Sequence, residues 1–122
     1  MRIITAILVC VIAAMLAAFL PGSRTKAGDS PLADKGARLI ESNGCGTCHD
    51  IPGIDGADGV VGPPLGNMGR RVYIAGLLRN TPQNMASWIQ HPQRYVPGNA
   101  MPELGLTRDE AQAISAYLQT LR

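Results

Sequence analysis

The sequence predicts a small all-α domain of three or four helices joined by long loops, preceded by an N-terminal apolar helix. Three observations carry this reading. Apolar residues recur at helical spacing in Leu32–Asn43 and again toward Leu121. Two further segments open with helix-start chemistry, at Thr81-Pro82 and at Thr107-Arg108-Asp109-Glu110. No stretch alternates apolar and polar residues for long enough to build a sheet.

Taken in order, the chain opens with Ile3 to Leu20, eighteen residues without a charge, preceded by Arg2 and closed by Pro21-Gly22-Ser23. Residues 1–21 therefore read as a signal peptide or a membrane anchor and stand outside the domain. A spanning helix needs about 17–25 residues and a cleavable signal core about 7–15. With Lys26 in the middle of the small residues Thr25 and Ala27, a charge disfavours cleavage there, so the anchor is the preferred reading. Cys10, after Val9, lacks the small neighbour of a lipid-modified cysteine and reads as apolar filler. Either way the domain is delivered to the outer side of a membrane, tethered or released.

Residues 22–31 read as a linker, and residues 32–122 as the domain. The first helix, Leu32 to Asn43, places Ala33, Ala37, Leu39 and Ile40 on one stripe with Gly36 beside it, and Gly44 ends it. From Cys45 to Gly69 glycine and proline forbid long regular structure. Val72 to Leu78 is a short apolar run compatible with either helix or strand. A second helix starts at Pro82 and is stopped by Pro92. Tyr95 to Gly105 is a loop with Pro97, Gly98 and Pro102. The Thr107 capping box opens the last helix, with Ile114, Tyr117, Leu118 and Leu121 on one side.

Composition limits what this domain does. The chain has 122 residues, 46% of them hydrophobic, with fourteen Gly and nine Pro. Eighteen of the first twenty residues are apolar, so the domain itself is left with few large apolar side chains. A domain this short and this rich in Gly and Pro needs a disulfide, a metal or a bound group to complete its core. From Gly28 onward eight Lys and Arg face nine Asp and Glu. A near-neutral domain without a basic run excludes nucleic acid as the partner.

Cys45-Gly46-Thr47-Cys48-His49 is the segment that carries chemistry. Two thiols at this spacing reach the two vinyl groups on one edge of a porphyrin, and the adjacent His is then held under the iron; the pattern is that of covalent c-type haem attachment. A redox dithiol at this spacing belongs in a βαβ context that is missing here. A zinc site needs four ligands, and outside the motif the chain offers only Cys10 and His91. A porphyrin also supplies the large apolar centre the sequence lacks. For a second axial ligand the candidates are His91, Met68, Met85 and Met101. Met101 lies between Pro97 and Pro102, which stiffen its loop, while Gly98 and Asn99 leave it one soft point.

The chain resembles the class I c-type cytochromes, in particular the bacterial domains associated with terminal oxidases, over about Ala33 to Leu121. Gly36 and Ile40 resemble the N-terminal helix that crosses the last helix at its aromatic, here Tyr117. Gly62-Pro63-Pro64-Leu65 resembles the turn whose Pro carbonyl accepts a hydrogen bond from the axial His. Trp88 to Met101 resembles the segment leading to the ligand Met. The lysines that ring the haem edge of mitochondrial forms are absent, the loop Asp50–Val61 is longer and Gly-rich, and Trp88 falls on the Met side.

The resemblance implies a small cytochrome c fold wrapped around one covalent haem c, with Cys45 and Cys48 as attachment points and His49 and Met101 as iron ligands. Pro63, Leu65 and Trp88 would contact the cofactor, and Arg70, Arg71 and Tyr73 are candidates for its propionates. It implies a one-electron carrier rather than an enzyme, a monomer, taking electrons from a quinol–cytochrome c reductase or a dehydrogenase and passing them to a terminal oxidase. A haem enzyme or gas sensor would need an open iron position, which Met101 argues against. A fixed haem subunit of a larger redox complex overlaps with the carrier.

Overall fold

The computed structural model describes residues 30–122. The apolar segment 1–21, Cys10 and nearly all of the linker 22–31 lie outside the described residues. Four helices are described: α1 (Pro31–Ser42), α2 (Pro82–Gln90), α3 (Pro92–Tyr95) and α4 (Arg108–Thr120). Short 3₁₀ turns occupy Cys45–Thr47 and Met68–Arg70, and a small hairpin pairs β1 (Tyr73–Ile74) with β2 (Leu78–Arg79). The fold is the small, mostly helical one expected.

Local chemistry explains the helix ends. Pro31 stands in the first turn of α1, where its missing N–H costs nothing. At the other end Asn43 Nδ2 donates to the Leu39 carbonyl at 2.8 Å, and Gly44 takes the left-handed conformation at φ 67°. Thr81 caps α2 by accepting from the Asn84 N–H at 3.1 Å. The capping box forms fully at α4: the Glu110 N–H donates to Thr107 Oγ1 at 3.3 Å, and the Thr107 N–H donates to Glu110 Oε2 at 2.8 Å. These bonds to Thr107 hold the Glu110 carboxyl below the usual carboxylate range.

The structure extends two of these expectations and corrects a third. Pro92 ends α2 but also begins α3, because a proline is as acceptable in a first helical turn as it is disruptive further in. The run Val72–Leu78 is a hairpin with register Tyr73↔Arg79 and Ile74↔Leu78. Ala75 and Gly76 turn it with φ 50° and 72°, the twist a tight hairpin requires. Finally, Gly36 does not meet α4 at Tyr117. A Cβ on Gly36 would lie 2.0 Å from the Ala113 carbonyl oxygen, so the two backbones cross one turn earlier. Tyr117 instead donates to the Pro52 carbonyl at 2.8 Å.

α4 is the hub of the core. α1 crosses it at Gly36 and α2 packs beside it, where the buried Ser115 Oγ donates to the Pro82 carbonyl at 2.9 Å. Its end holds the Met68–Arg70 turn through the Gly69 N–H to Leu121 carbonyl bond of 2.8 Å. Asn80 ties the hairpin in: it donates to the Met68 and Arg71 carbonyls, both at 2.8 Å, and accepts from Gln119 Nε2 at 2.7 Å.

Candidate functional site

A cavity of about 540 Å³ opens into the middle of this core. Protein interiors tolerate few voids larger than a water molecule, so a space of this size among Ile40, Met85, Ile114 and Leu118 is built for a large apolar group. Cys45, Cys48 and His49 stand together in its wall.

The Cys45–His49 turn starts where Gly44 ends α1. The His49 N–H returns to the Cys45 carbonyl at 3.1 Å, which sets the two cysteines and the histidine on one tight turn. The Gly-rich loop that follows folds back over it. The Gly59 N–H donates to the Gly46 carbonyl at 3.0 Å and the Gly62 N–H to the Cys48 carbonyl at 2.7 Å. The loop is long and rich in glycine because it runs backbone against backbone along the turn: a Cβ on Gly59 would lie 2.5 Å from the Thr47 oxygen.

His49 is oriented from two sides. Its Nδ1 lies 2.8 Å from the Pro63 carbonyl oxygen, which only accepts, so Nδ1 carries the proton and Nε2 keeps its lone pair. Gly62 lies under the ring, where a Cβ would come within 2.3 Å of Cε1. Burial pushes the Cys45 thiol above its ordinary pKa, opposed by a hydrogen bond to its own backbone and reinforced by Cys48. A thiol held protonated is a poor redox nucleophile. The two cysteines are free, with no disulfide between them. Among the described residues no three His, Cys, Asp or Glu side chains cluster as a metal-ion site.

The cavity also gathers Pro63, Leu65, Arg71, Tyr73, Trp88 and Met101. Arg71 reaches across its edge to donate to the Pro64 carbonyl at 2.6 Å. Trp88 is tilted against Tyr95, ring centroids 6.1 Å apart, and the Tyr95 hydroxyl shares a 2.6 Å hydrogen bond with Ser87. Arg70 is exposed and does not line the cavity. Of the four candidate second ligands, Met68 and Met85 line it as buried core residues and Met101 lines it from the loop. His91 is outside it, exposed and 3.9 Å from Glu103.

The loop before Pro102 is not soft at Asn99. Asn99 Nδ2 donates to the Val96 carbonyl at 2.6 Å, and Asn99 Oδ1 accepts from the Met101 N–H at 2.8 Å. Gln93 and Asn80 hold other parts of the site; the sequence reading gives neither of them a role and takes Asn99 for a soft point. Asn and Gln beside Pro and Gly are the signal that could have found them, since such side chains bind backbone groups that regular structure leaves free.

A small, mostly helical domain with a Cys-x-x-Cys-His turn at an apolar cavity has the features of the c-type cytochrome class. Residues 33–122 match the cytochrome c family, and the chain belongs to it. It is 37% identical over 92 residues to cytochrome c oxidase subunit 2 of Alkalihalophilus pseudofirmus, covering 75% of this chain and 26% of that protein. It is 30% identical over 98 residues to cytochrome c oxidase subunit 2 of Bacillus subtilis, covering 77% of this chain and 28% of that protein. The chain thus spans about a quarter of the length of these relatives. No solved structure matches it. Family membership implies haem c, and the apolar cavity with two thiols and a free imidazole nitrogen fits that cofactor.

Proposed function

We propose that this protein is a one-electron carrier in which haem c is attached through Cys45 and Cys48, with His49 Nε2 and Met101 Sδ as axial ligands, delivering electrons to a terminal oxidase. The observation that carries the reading is the cavity, which gathers both cysteines, an imidazole with its Nδ1 proton committed to Pro63, and Met101 on a hydrogen-bonded loop. Haem c, when bound, supplies a one-electron ferric–ferrous couple.

The chain's own residues set how that couple behaves. Pro63 fixes the tautomer and aim of His49. Met101 as a ligand raises the reduction potential, and the apolar walls work in the same direction by disfavouring the extra charge of the oxidised state. Two protein ligands leave no position for a substrate, which favours a carrier over an enzyme or gas sensor. Arg71 and Tyr73, which line the cavity, would hold the propionates; the exposed Arg70 is a weaker candidate.

The relatives' name supports a terminal oxidase as the acceptor. Val60 and Val61, 92% and 69% exposed, project from the loop bonded to the attachment turn and would meet it with an apolar contact. Such a small, weakly charged contact suits a short encounter. A quinol-oxidising complex or a dehydrogenase would be the donor. Residues 1–21 would tether the domain to the outer face of the membrane. N-terminal sequencing of the mature protein should find the chain uncleaved; a start near Gly28 would make it a diffusible carrier instead.

The ligand assignment is tested by Met101→Ala. It should keep the haem attached, lower the potential, admit carbon monoxide and abolish the near-infrared sulfur-to-iron charge-transfer band. Met68→Leu and Met85→Leu, volume-conserving swaps worth under about 1.5 kcal/mol, should leave the band in place. A band that survives Met101→Ala and disappears in either of the others would overturn the assignment.

A further inference from the structure

We infer that Gln93 is a positioning residue for Met101, a side-chain clamp that decides how constantly the thioether is presented to the cavity. The inference rests on Met101 being an axial ligand. Gln93 lies on α3 and commits both ends of its amide to one loop. Its Nε2 donates to the Asn99 carbonyl at 2.9 Å and to the Met101 carbonyl at 2.8 Å. Its Oε1 accepts from the Gly98 N–H at 2.8 Å.

The loop has little else to hold it. Of its backbone-to-backbone hydrogen bonds, residues 98–102 take part in one, from the Asn99 N–H to the Val96 carbonyl at 3.2 Å. Pro97 and Pro102 limit the dihedral angles but donate nothing. Asn99 braces the loop through Val96 and the Met101 N–H, and at a longer 3.2 Å donates to the Pro92 carbonyl of α3. Only Gln93 ties it to a helix on both sides of Asn99, at Gly98 and at Met101. Both backbone polar groups of Met101 are therefore held by side chains, its N–H by Asn99 and its carbonyl by Gln93.

A thioether is a weak ligand, so the stiffness of its loop decides what fraction of the time it is in place. One neutral hydrogen bond shifts an equilibrium by roughly two- to tenfold. Losing three at once should raise the fraction of open sites by about tenfold or more.

The test uses the full-chain holoprotein, with imidazole as the probe of the sixth position. Gln93→Ala should keep its covalently bound pigment, weaken the charge-transfer band of the oxidised form, and bind imidazole about tenfold more tightly than wild type. Gln93→Glu keeps an acceptor for Gly98 but sets a carboxylate against two carbonyls. At neutral pH it should also bind imidazole more tightly than wild type. This second variant decides the matter should Gln93→Ala fail to fold. Ser115→Ala, which loses a buried bond outside the cavity wall, should lower the thermal midpoint and leave band and imidazole affinity alone. An imidazole affinity within twofold of wild type in the folded Gln93 variants, with the band intact, overturns the clamp. If Met101→Ala also keeps the band, the ligand assignment fails and the clamp with it; if Met101→Ala loses it, the clamp alone falls.

Discussion

His49 shows how much one side chain depends on neighbours that are distant in the chain. Pro63 holds its Nδ1 proton and Gly62 leaves room for its ring, so the thirteen residues between His49 and Pro63 exist partly to bring that turn back. The Cys-x-x-Cys-His spacing and the Gly-Pro-Pro-Leu turn were legible in the sequence because each is a short local pattern. The roles of Gln93, Asn99 and Asn80 were not. A polar amide reads as surface until the backbone groups it serves are known, and those are set by the folded loop. Tyr117 was legible as a packed aromatic but not as the donor to Pro52, a partner 65 residues away. Burial, with a smaller contribution from Glu41, raises its phenol above the ordinary value. A raised folded-state pKa means that the neutral phenol stabilises the fold below pH ~10, and that this contribution is lost as pH rises through the folded value. Tyr117→Phe should therefore be less stable than wild type by about 0.5–1.5 kcal/mol at pH 7, the worth of one hydrogen bond. The gap should close in alkaline denaturation curves; a gap that stays constant through the alkaline range would show that Tyr117 contributes only by packing.

Among the elements, those with local start and stop chemistry were legible and those set by packing were not. Pro31, Thr81-Pro82 and the Thr107–Glu110 box mark helix starts whatever the rest of the molecule does. The hairpin at Tyr73–Arg79 escaped because two residues per strand give too little alternation to read, and Ala75 in a left-handed conformation is not a residue that announces such a turn. The resemblance gave the crossing of α1 and α4 at Gly36, but not its place on α4. Gly36 could be seen to lie near the apolar stripe, but its contact with Ala113 depends on the crossing geometry. That contact gives a test opposed to helix propensity. Gly→Ala inside a helix normally stabilises by up to about 1 kcal/mol. At Gly36 the added methyl would meet backbone at 2.0 Å, and overpacking of this kind costs about 1–3 kcal/mol or more. Gly36→Ala should thus lower stability in chemical denaturation and weaken docking of α1 on α4; a variant as stable as wild type would show that the helices part at little cost.

For the molecule as a whole, the sequence carried too few large apolar residues for an independent core, and the structure answers with helices arranged around a cavity. α4 anchors the arrangement and lines the cavity with Ile114 and Leu118; α1, the Cys45–His49 turn, the loop through Pro63 and Leu65, α2, the hairpin and the Met101 loop also contribute to the wall. The fold class was legible from composition and pattern. The cavity was legible only as a need, because its shape comes from contacts between segments far apart in the chain. Everything proposed for this protein turns on the iron being closed by two protein ligands while it exchanges one electron. An equilibrium redox titration of the full-chain holoprotein, run with and without carbon monoxide, tests that most directly. A single one-electron transition, with a midpoint and reduced spectrum that carbon monoxide leaves unchanged, is the predicted result. A carbon monoxide complex in the unmodified protein, with the midpoint drawn upward by the gas, would contradict it and point to an open-site haem enzyme or gas sensor.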